Sequence, residues 1–500
     1  MKFLSPNQKS VHFIGIGGIG TSALARWFLS ENYKVSGSDL EPTSLTRELK
    51  KEGARVVIGH SSANVRQTFD LVVHTSALPK NNSEMVKARK LGIPIKSYSE
   101  AVHDLTKRYK TIAIAGAHGK STSTALTSLS LIKAGFDPTV IVGTKLREFG
   151  GKNFRKGKSD YLIMEADEHN AAFLNYHPYV LMITNLDREH LDFYKNLKNI
   201  KNTFLKFIGN IRPNGILVVN KDDKNLYSLK SKIGKIAKKN HFRIYWCGIR
   251  EGFARDIRER LARTLRIPGE HNVSNAMGVY TLAKALGIKD QPIFDALAAY
   301  RGSWRRMEYR GKLKIKNSKF KINVYDDYAH HPTEIRATLA GIRQKWSKSG
   351  LICVFQPHQA KRLAALFNEF VGAFEAADIL ILLDIYKVAG RDRQSPNMSQ
   401  NITSQKLVEA IKKHIAKLKT KNLKLKTIVH LPSPRSLRQT IKKSIRIYSG
   451  HSDKFIRVNP RSNPRKSAFI VVMMGAGDIY QLTNSLIRLN IESRRRANIN

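Results

Sequence analysis

The sequence predicts an α/β fold built on doubly wound, mostly parallel sheets. Short apolar runs without polar interruption recur along the chain, as expected for strands that are covered on both faces. Segments with helical periodicity separate these runs, which is typical of β–α–β units. A chain of 500 residues provides for roughly two to four such domains.

The strand-like runs fall into three blocks. The runs are VHFIGI (11–16), YKVSGSD (33–39), DLVVHTS (70–76), TIAIAG (111–116), YLIMEAD (161–167), YVLMITN (179–185), GILVVN (215–220), KINVYDD (321–327), LICVFQ (351–356), ILILLDIY (379–386) and FIVVMMG (469–475). We place the domains at 1–108, 109–318 and 319–500. The first limit lies in "LTKRYKT", and the second in the basic stretch "YRGKLKIKNSKF". No internal repeat of a length typical of repeat proteins is evident.

The net charge of +48 is extreme. Lysines are spread over the whole chain, with denser runs at 406–426 and 454–466. The first run predicts an amphipathic helix with a solvated basic face. Its apolar residues at helical spacing are Leu407, Ile411, Ile415 and Leu418. Because no nucleic-acid-binding motif accompanies the charge, we interpret it as a general lysine bias and expect no specific nucleic-acid partner. Nucleic-acid or membrane binding stays open as the alternative.

The two cysteines, Cys247 and Cys353, each lie in an apolar run and are expected in the core. They form neither a disulfide framework nor a metal cluster. No apolar stretch approaches the length of a membrane span, and "MKFLSPNQKS" lacks the apolar core of a secretory signal. A cytoplasmic location is therefore expected.

A first glycine-rich loop, "GIGGIG", follows the strand-like run at 11–16 and precedes a helical pattern. Gly15, Gly17 and Gly20 fit G-x-G-x-x-G, and Asp39 lies about twenty residues further on. Such a loop brings backbone amides and a helix N-terminus to a diphosphate. Taken alone it indicates a nucleotide diphosphate, whether NAD or another. The alternative is that the glycines only permit tight packing of strand and helix.

A second loop resembles a shortened P-loop at the end of the run 111–116. It comprises Gly116, Ala117, His118, Gly119, Lys120, Ser121 and Thr122. Amides would wrap a phosphate, the Lys120 ammonium would reach its β and γ oxygens, and the Ser121 hydroxyl can ligate Mg²⁺. A buried lysine without an anion would be costly, so this loop predicts ATP and Mg²⁺ binding.

Polar side chains follow two neighbouring strand-like runs. They are Glu165, Asp167 and Glu168 after the first, and Asn185, Asp187, Glu189, His190 and Asp192 after the second. The carboxyl ends of parallel strands are where open α/β sheets place ligands. Glu165 is the preferred Mg²⁺ ligand, whereas His190 taken alone is equally consistent with a structural histidine.

Ordered motifs along nearly the whole chain resemble those of the Mur ligases, in particular the members that add L-alanine to UDP-N-acetylmuramate. The motifs are VHFIGIGGIGTSALA, GAHGKSTST, EADE, TNLDREHLDFY, PGEHNVSNA, WRRMEYRG, DDYAHHPTEI, FQPH and MGAGDI. The resemblance implies a three-domain α/β fold. An N-terminal Rossmann-like domain would bind the UDP-sugar, a central P-loop-type domain ATP, and a C-terminal Rossmann-like domain would close on ATP and the amino acid. It reassigns the first glycine loop from NAD to the UDP diphosphate.

The resemblance also implies the roles of individual residues. On the UDP-sugar side these are Gly15, Gly17, Gly18, Ile19, Asp39, His74, Thr75 and Ser76. On the ATP side they are residues 116–122, Asn272 and Asn275 with neighbouring His271, and Arg305 of the pair Arg305–Arg306. The metal ligands would be Ser121, Glu165 and His190, and the amino-acid side Tyr328, His331 and Arg362. The catalytic residues would be Lys120, His190, Arg305, Asp326 and His330, with Asp326 or His330 as the base for the amine.

The implied reaction joins L-alanine to the lactyl carboxylate of UDP-N-acetylmuramate through an acyl phosphate, with ATP and Mg²⁺, in a monomer or homodimer. The chain departs from the family pattern at several places. His169 and Asn170 stand where Ser-Asp is common, and Ala360 where an aromatic is usual. The segment between Trp246 and Pro268 is shorter than usual, so strands are expected to be missing there. The basic stretch 450–466 has no counterpart.

Three other interpretations remain at this stage. The murein tripeptide ligase of the same family uses a peptide in place of alanine, and "GIGGIG" and "TNLDREHLDFY" favour the alanine-adding members. An NAD-dependent oxidoreductase is disfavoured by the second glycine loop together with Glu165. A non-catalytic nucleic-acid-binding protein would show salt-dependent DNA affinity without ATPase activity.

Overall fold

The computed structural model describes residues 10–79, 81–250, 255–315, 320–386, 402–418, 424–449 and 468–487. They form three sheets and divide into two compact units. One unit contains Met1–Arg266 and Asn272–Ser303, and the other Ile267–His271 and Trp304–Asn500. Nowhere in these ranges does a helix combine the length and apolar character needed to cross a membrane. The predicted α/β class with mostly parallel sheets is confirmed.

The first sheet has five parallel strands in the order β3-β2-β1-β4-β5. The strands are β1 Ser10–Ile14, β2 Lys34–Asp39, β3 Arg55–Ile58, β4 Leu71–His74 and β5 Ile95–Ser97. The helices are Ile19–Ser30, Ser44–Lys51, Ser83–Lys90 and Tyr98–Arg108, with a 3₁₀ turn at Ser62–Asn64. The strand order reverses between β1 and β4, and the crevice beyond the carboxyl ends of such neighbours is where doubly wound sheets bind ligands.

The second sheet has seven strands in the order β12-β11-β10-β6-β9-β7-β8, and only edge strand β8 pairs antiparallel among its described neighbours. The strands are β6 Lys110–Ala115, β7 Thr139–Leu146, β8 Lys152–Arg155, β9 Tyr161–Glu165, β10 Val180–Ile183, β11 Ile216–Asn220 and β12 Arg243–Cys247. Its α-helices are Lys120–Lys133, Leu191–Tyr194, Leu197–Ile208, Lys224–Tyr227, Lys230–Asn240, Arg255–Thr264, Glu270–Ala285 and Asp290–Ala299, with 3₁₀ segments at Arg147–Phe149 and His169–Asn175.

A buried polar network joins these first two sheets. The Arg26 side chain, 3% exposed, donates to Glu48, to Glu52 and to the side-chain oxygen of Asn153. Asn153 lies on β8 and is fully buried. Its amide donates in turn to the Ile19 carbonyl at 2.6 Å and to another side chain of the same helix. One cluster of buried apolar side chains also runs through both sheets, so the first two domains share a core.

The third sheet belongs to the other unit and has the order β13-β14-β18-β15-β16-β17. Its strands are β13 Glu308–Leu313, β14 Lys321–Asp327, β15 Gly350–Phe355, β16 Ile379–Leu383, β17 Thr427–Leu431 and β18 Ala468–Met474. Its helices are Pro332–Lys345, Ala360–Ala365, Phe367–Val371, Ser404–Lys417 and Leu437–Tyr448, with a 3₁₀ turn at Pro434–Ser436 and helical residues at 479–487. Since β13 pairs antiparallel with β14, this sheet begins before residue 318, where the sequence placed the limit.

Several details differ from the sequence-based expectations. The basic amphipathic helix ends at Lys417 and does not extend to 426, although Leu407 and Ile411 are buried as predicted. Both cysteines are buried. Between β12 and Pro268, the described residues contain a helix and no strand. The basic stretch 450–466 lies outside the described residues.

Candidate active site

The first glycine loop connects β1 to the helix Ile19–Ser30 at the point where the strand order reverses. Gly15 has a φ of 82°, which favours glycine. The amides of Gly15 and Ile16 donate to the Ser38 carbonyl at 2.8 and 3.0 Å. Asp39 accepts the Gly17 amide at 2.7 Å. Asp39, which the sequence places about twenty residues after the loop, therefore contacts it directly.

The segment after β4 lies against the same loop. A Cβ on Gly15 would lie 2.5 Å from the Thr75 side chain, so only glycine allows this approach. His74 is half-buried and contacts the Thr75 carbonyl through Nδ1 at 3.0 Å, while Ser76 is exposed. Gly18 is the N-cap of the helix that starts at Ile19. The residues expected on the UDP-sugar side thus lie around one crevice.

The buried carboxylate of Glu84 contacts Ser38, which holds the first glycine loop. Ser38, whose carbonyl holds the loop amides, donates its hydroxyl to Glu84 at 2.7 Å. Glu84 is fully buried. Its carboxylate also contacts His12 Nε2, His60 Nδ1, the Ser61 amide and the Asn64 side chain. Burial alone would raise the pKa of Glu84, but these hydrogen bonds, led by that of His12, lower it to about 2. Nothing in the sequence had indicated this residue.

The second glycine loop follows β6 in the middle of the second sheet. Gly116 and Gly119 have φ values of 126° and 84°, and Gly119 is the N-cap of Lys120–Lys133. A Cβ on Gly116 would collide with Thr184, and one on Gly119 with the Asn275 side chain. Both glycines are therefore required by backbone geometry and by space. Asn275, predicted on the ATP side, lies directly against the loop.

Lys120 folds back over its own loop. Its Nζ donates to the Gly116 carbonyl at 2.7 Å, to the Ala117 carbonyl at 3.2 Å and to Glu168 at 2.8 Å. Burial alone would lower the pKa of Lys120, but the negative charge of Glu168 and then of Asp167 raises it on balance. The side chain is a protonated ammonium at the mouth of the loop. The sequence predicts an external anion as the partner of Lys120, and Glu168 is an internal one.

Glu165 and Ser121 lie together, as the sequence predicted. The Ser121 hydroxyl donates to Glu165 Oε2 at 3.1 Å. The Gly143 amide, on β7, donates to the other carboxylate oxygen at 2.5 Å. A Cβ on Gly143 would crowd this carboxylate at 2.6 Å. The hydroxyl–carboxylate pair is an oxygen donor set suited to Mg²⁺.

His190 belongs to a different group from Glu165. Potential ligand atoms of Asp167, Glu168 and His190 lie within 4.8 Å of one another. Burial lowers the pKa of His190 to about 4, so its ring is neutral at pH 7 and able to ligate a metal. The His169 ring contacts it at a centroid distance of 4.7 Å. The residues after β9 and β10 therefore offer two adjacent donor sets around Lys120.

The segment after β10 holds the second glycine loop from the other side. His118 Nε2 contacts Asp187 at 2.9 Å, and the Asn185 side chain accepts the His118 amide at 2.9 Å. The Thr184 hydroxyl donates to the His118 carbonyl at 2.6 Å. These contacts hold the second glycine loop, which follows β6, against the segment after β10. Of the other acids in this segment, Glu189 is buried and Asp192 exposed.

In the other unit, Arg305 is held against the end of β18. It is 5% exposed and donates to the Gly475 carbonyl and, at 3.4 Å, to the Ala476 carbonyl. Its guanidinium lies 4.9 Å from the Tyr328 ring centroid. Arg306 also lies over this ring, at 5.0 Å. The arginine pair and Tyr328 are therefore in contact, and "MGAGDI" supplies the carbonyls.

The last residues of β14 and those that follow it lie at the carboxyl edge of the third sheet. Asp326 is 1% exposed, accepts a hydrogen bond from Thr483, and is paired with Arg310 at 3.3 Å. Burial raises the pKa of Asp326 to about 7. His330 is half-buried and lies 3.3 Å from Glu334.

Three further residues singled out in the sequence belong to this unit. His331 caps the helix Pro332–Lys345 by accepting the Thr333 amide. Arg362 lies on the short helix Ala360–Ala365, after Gln359 with a φ of 66°. His271 is crowded against Gly269, and burial lowers its pKa to about 4.

Three family models match consecutive parts of the chain. "Mur ligase family, catalytic domain" matches residues 10–110, "Mur ligase middle domain" matches 114–283, and "Mur ligase, glutamate ligase domain" matches 305–446. The chain belongs to the Mur ligase family. The resemblance predicted from the ordered motifs is thereby confirmed.

Among the Mur ligases, the curated relatives that resemble this chain include several UDP-N-acetylmuramate–L-alanine ligases. The UDP-N-acetylmuramate–L-alanine ligase of Clostridium perfringens is 39% identical over 420 residues, covering 81% of this chain and 88% of the relative. That of Clostridium kluyveri is 38% identical over 426 residues, covering 82% and 90%.

Solved structures share the fold. The UDP-N-acetylmuramate-alanine ligase of Thermotoga maritima has a TM-score of 0.72 and 25% identity, covering 97% of this chain and 99% of that one. A murein peptide ligase of Psychrobacter arcticus has a TM-score of 0.62 at 20% identity, covering 96% and 98%. At 20% identity, this similarity shows a shared fold and nothing further. The three-domain α/β architecture is confirmed.

Proposed function

We propose that this Mur ligase joins L-alanine to the lactyl carboxylate of UDP-N-acetylmuramate, with cleavage of ATP to ADP and phosphate, in peptidoglycan precursor synthesis in the cytoplasm. The observation that carries the proposal is the adjacency of Lys120 in its glycine loop to the Ser121–Glu165 pair. Relatives named for this reaction, at 39% identity over most of their length, favour alanine over a tripeptide.

The two glycine loops would bind the phosphates of the two nucleotide substrates. The UDP diphosphate would bind at Gly15–Gly20, where amides and a helix N-terminus favour negative charge. The ATP phosphates would bind at residues 116–122, with the Lys120 ammonium released from Glu168 to the β and γ oxygens. Asn272 and Asn275 lie near the start of the helix Glu270–Ala285, and Asn275 lies against Gly119, so the adenosine side would lie there.

In the proposed reaction, a lactyl carboxylate oxygen attacks the γ-phosphorus of ATP, and the bond to ADP breaks. Such a transfer depends mostly on positioning and on neutralising the charge that spreads over the phosphoryl oxygens. Lys120 would supply one fixed positive charge for this purpose, and Arg305, protonated and held by backbone carbonyls, another.

Mg²⁺ would be held by Ser121 and Glu165, with His190 and its neighbouring carboxylates as a second donor set. When bound it would neutralise phosphate charge and act as a Lewis acid. The oxygen donors of the first set fit this hard cation.

The second step forms the amide bond. The alanine nitrogen attacks the acyl-phosphate carbonyl, a tetrahedral intermediate forms, the nitrogen loses a proton, and phosphate leaves. Of the two candidate bases, His330 fits better than Asp326. His330 is half-buried, whereas the Asp326 carboxylate is almost fully buried and held by Thr483 and Arg310. Tyr328, His331 and Arg362 are assigned to the amino-acid side on the family resemblance.

Phosphate release provides the test of the proposed function. With ATP, Mg²⁺ and UDP-N-acetylmuramate, release should depend on L-alanine, and mass spectrometry should show the alanyl product. Glycine, serine and the murein tripeptide serve as alternative acceptors. Release with the tripeptide and not with alanine would instead assign the recycling ligase, and no acceptor-dependent release with any of them would overturn the proposal.

Glu165→Gln should raise the Mg²⁺ concentration for half-maximal activity by about 10-fold or more, since a neutral amide is a weaker donor than a carboxylate. The measurement is phosphate release as a function of Mg²⁺ at saturating substrates. Glu148→Gln is the matched control, because Glu148 is exposed on the turn Arg147–Phe149. An unchanged Mg²⁺ dependence in Glu165→Gln would remove Glu165 from the metal site.

A further inference from the structure

Tyr98 lies at the carboxyl end of β5, on the same edge of the first sheet as the first glycine loop. It is the first residue of the helix Tyr98–Arg108, which Ser97 and Glu100 fix through a capping box. Its ring packs on Gly20: a Cβ there would lie 2.9 Å from Cζ and 3.1 Å from the hydroxyl oxygen. The phenol is therefore held beside the first turn of the helix that begins at the glycine loop.

The other side of Tyr98 faces the second sheet. The neighbouring Ser99 hydroxyl accepts a hydrogen bond from Asn175 at 3.4 Å, which ties this helix to the 3₁₀ segment after β9. Burial, and then the negative charges of Glu165 and Asp167, raise the pKa of Tyr98. The hydroxyl is thus a proton donor at neutral pH, placed between the diphosphate loop and the acids beside Lys120.

Within the described ranges of the chain, the Tyr98 hydroxyl has no hydrogen-bond partner. The Tyr98 side chain is half-buried, and its hydroxyl remains accessible to a ligand, whereas the Tyr194 hydroxyl of the same unit already donates to the Glu168 carbonyl. The nearby carboxylates disfavour an anionic acceptor. A neutral oxygen of a ligand can accept this hydrogen bond without placing a further negative charge beside the carboxylates.

We propose that the Tyr98 hydroxyl donates a hydrogen bond to a neutral oxygen of the muramoyl sugar, between the diphosphate at the first glycine loop and the lactyl carboxylate directed at Lys120. This inference rests on the proposed function, because it takes the UDP-sugar to extend from one loop to the other. Tyr98 is then a specificity residue for the sugar, independent of the diphosphate and of ATP.

The test compares Tyr98→Phe with the wild-type chain in calorimetric titrations of UDP-N-acetylmuramate and of UDP. The ring and its packing on Gly20 remain in the variant, so its thermal midpoint should be unchanged. Affinity for UDP-N-acetylmuramate should fall by about 5- to 10-fold and affinity for UDP should not change. In steady-state assays the KM for the UDP-sugar should rise by the same factor, with the KM for ATP unchanged.

Tyr33→Phe is the matched control, since Tyr33 precedes β2 at the opposite edge of the same sheet. An equal loss of UDP and UDP-sugar affinity in Tyr98→Phe, or no loss of either, would overturn the inference while leaving the proposed function intact. Absence of UDP-N-acetylmuramate binding and of alanine-dependent turnover in the wild-type chain would overturn both.

Discussion

We expect alanine-dependent phosphate release to fall by about 10³-fold in Lys120→Met, at saturating ATP and UDP-sugar. Methionine keeps the length and apolar stem of the side chain but removes the charge that we propose neutralises the γ-phosphoryl oxygens. The fold should survive the change. Burial favours the neutral form of Glu168, so without its partner this carboxyl takes up a proton instead of remaining as an unpaired buried charge.

The measurement is the initial rate of phosphate release, with circular dichroism to compare the folds. Lys133→Met is the matched control, because Lys133 is exposed at the other end of the same helix. It should keep wild-type activity. A Lys120→Met enzyme within tenfold of wild type would mean that the ammonium serves only its ion pair with Glu168, and that the phosphates bind elsewhere.

Glu84→Gln should destabilise the first domain by about 3 kcal/mol at pH 7, because an amide cannot replace the anion that accepts from His12, Ser38 and Asn64. The folded pKa of Glu84, about 2, lies below its ordinary value of 4.5. The unfolded chain therefore binds more protons between these values. The stabilisation is fully present above about pH 5 and is lost as the pH falls toward 2.

Hydrogen exchange of peptides from residues 10–108, compared between variant and wild type at pH 7 and again at pH 3, measures this effect. The difference should be large at pH 7 and smaller at pH 3. Glu41→Gln, an exposed carboxyl of the same domain, should show no difference at either pH. A Glu84→Gln difference that stays constant with pH would show that shape, not charge, is what the site requires.

The parts of the fold that the sequence predicted are those with local signals. Central strands such as β6 and β10 are continuous apolar runs, and the glycine loops carry their spacing in a few consecutive residues. The strands without a specific prediction are short or lie toward the sheet edges. β5 is three residues long, and β13 reads EYRGKL, whose charges suggested a linker. Pairing with a neighbour, not local sequence, makes them strands.

The candidate site divides in the same way. Lys120, Ser121 and Glu165 were predicted from a motif and a strand end, and the structure places them together. Their contact partners were not predicted, because these contacts join segments that are distant in the sequence. The partners are Glu168 for Lys120, Gly143 for Glu165 and Asn275 for Gly119. Tyr98 and Glu84 carry no motif at all. Their contacts arise from how the helices Tyr98–Arg108 and Ser83–Lys90 pack on the first sheet.

The Arg26–Asn153 network has a consequence for how the chain can be divided. A fragment that ends after the first sheet would lose Asn153 and leave the Ile19 carbonyl and the buried Arg26 side chain without that partner, in addition to exposing the shared apolar core. The first two domains should therefore melt in one cooperative transition. Although it has a sheet of its own, the N-terminal domain is not an autonomous module, and domain exchange between relatives would have to move both domains together.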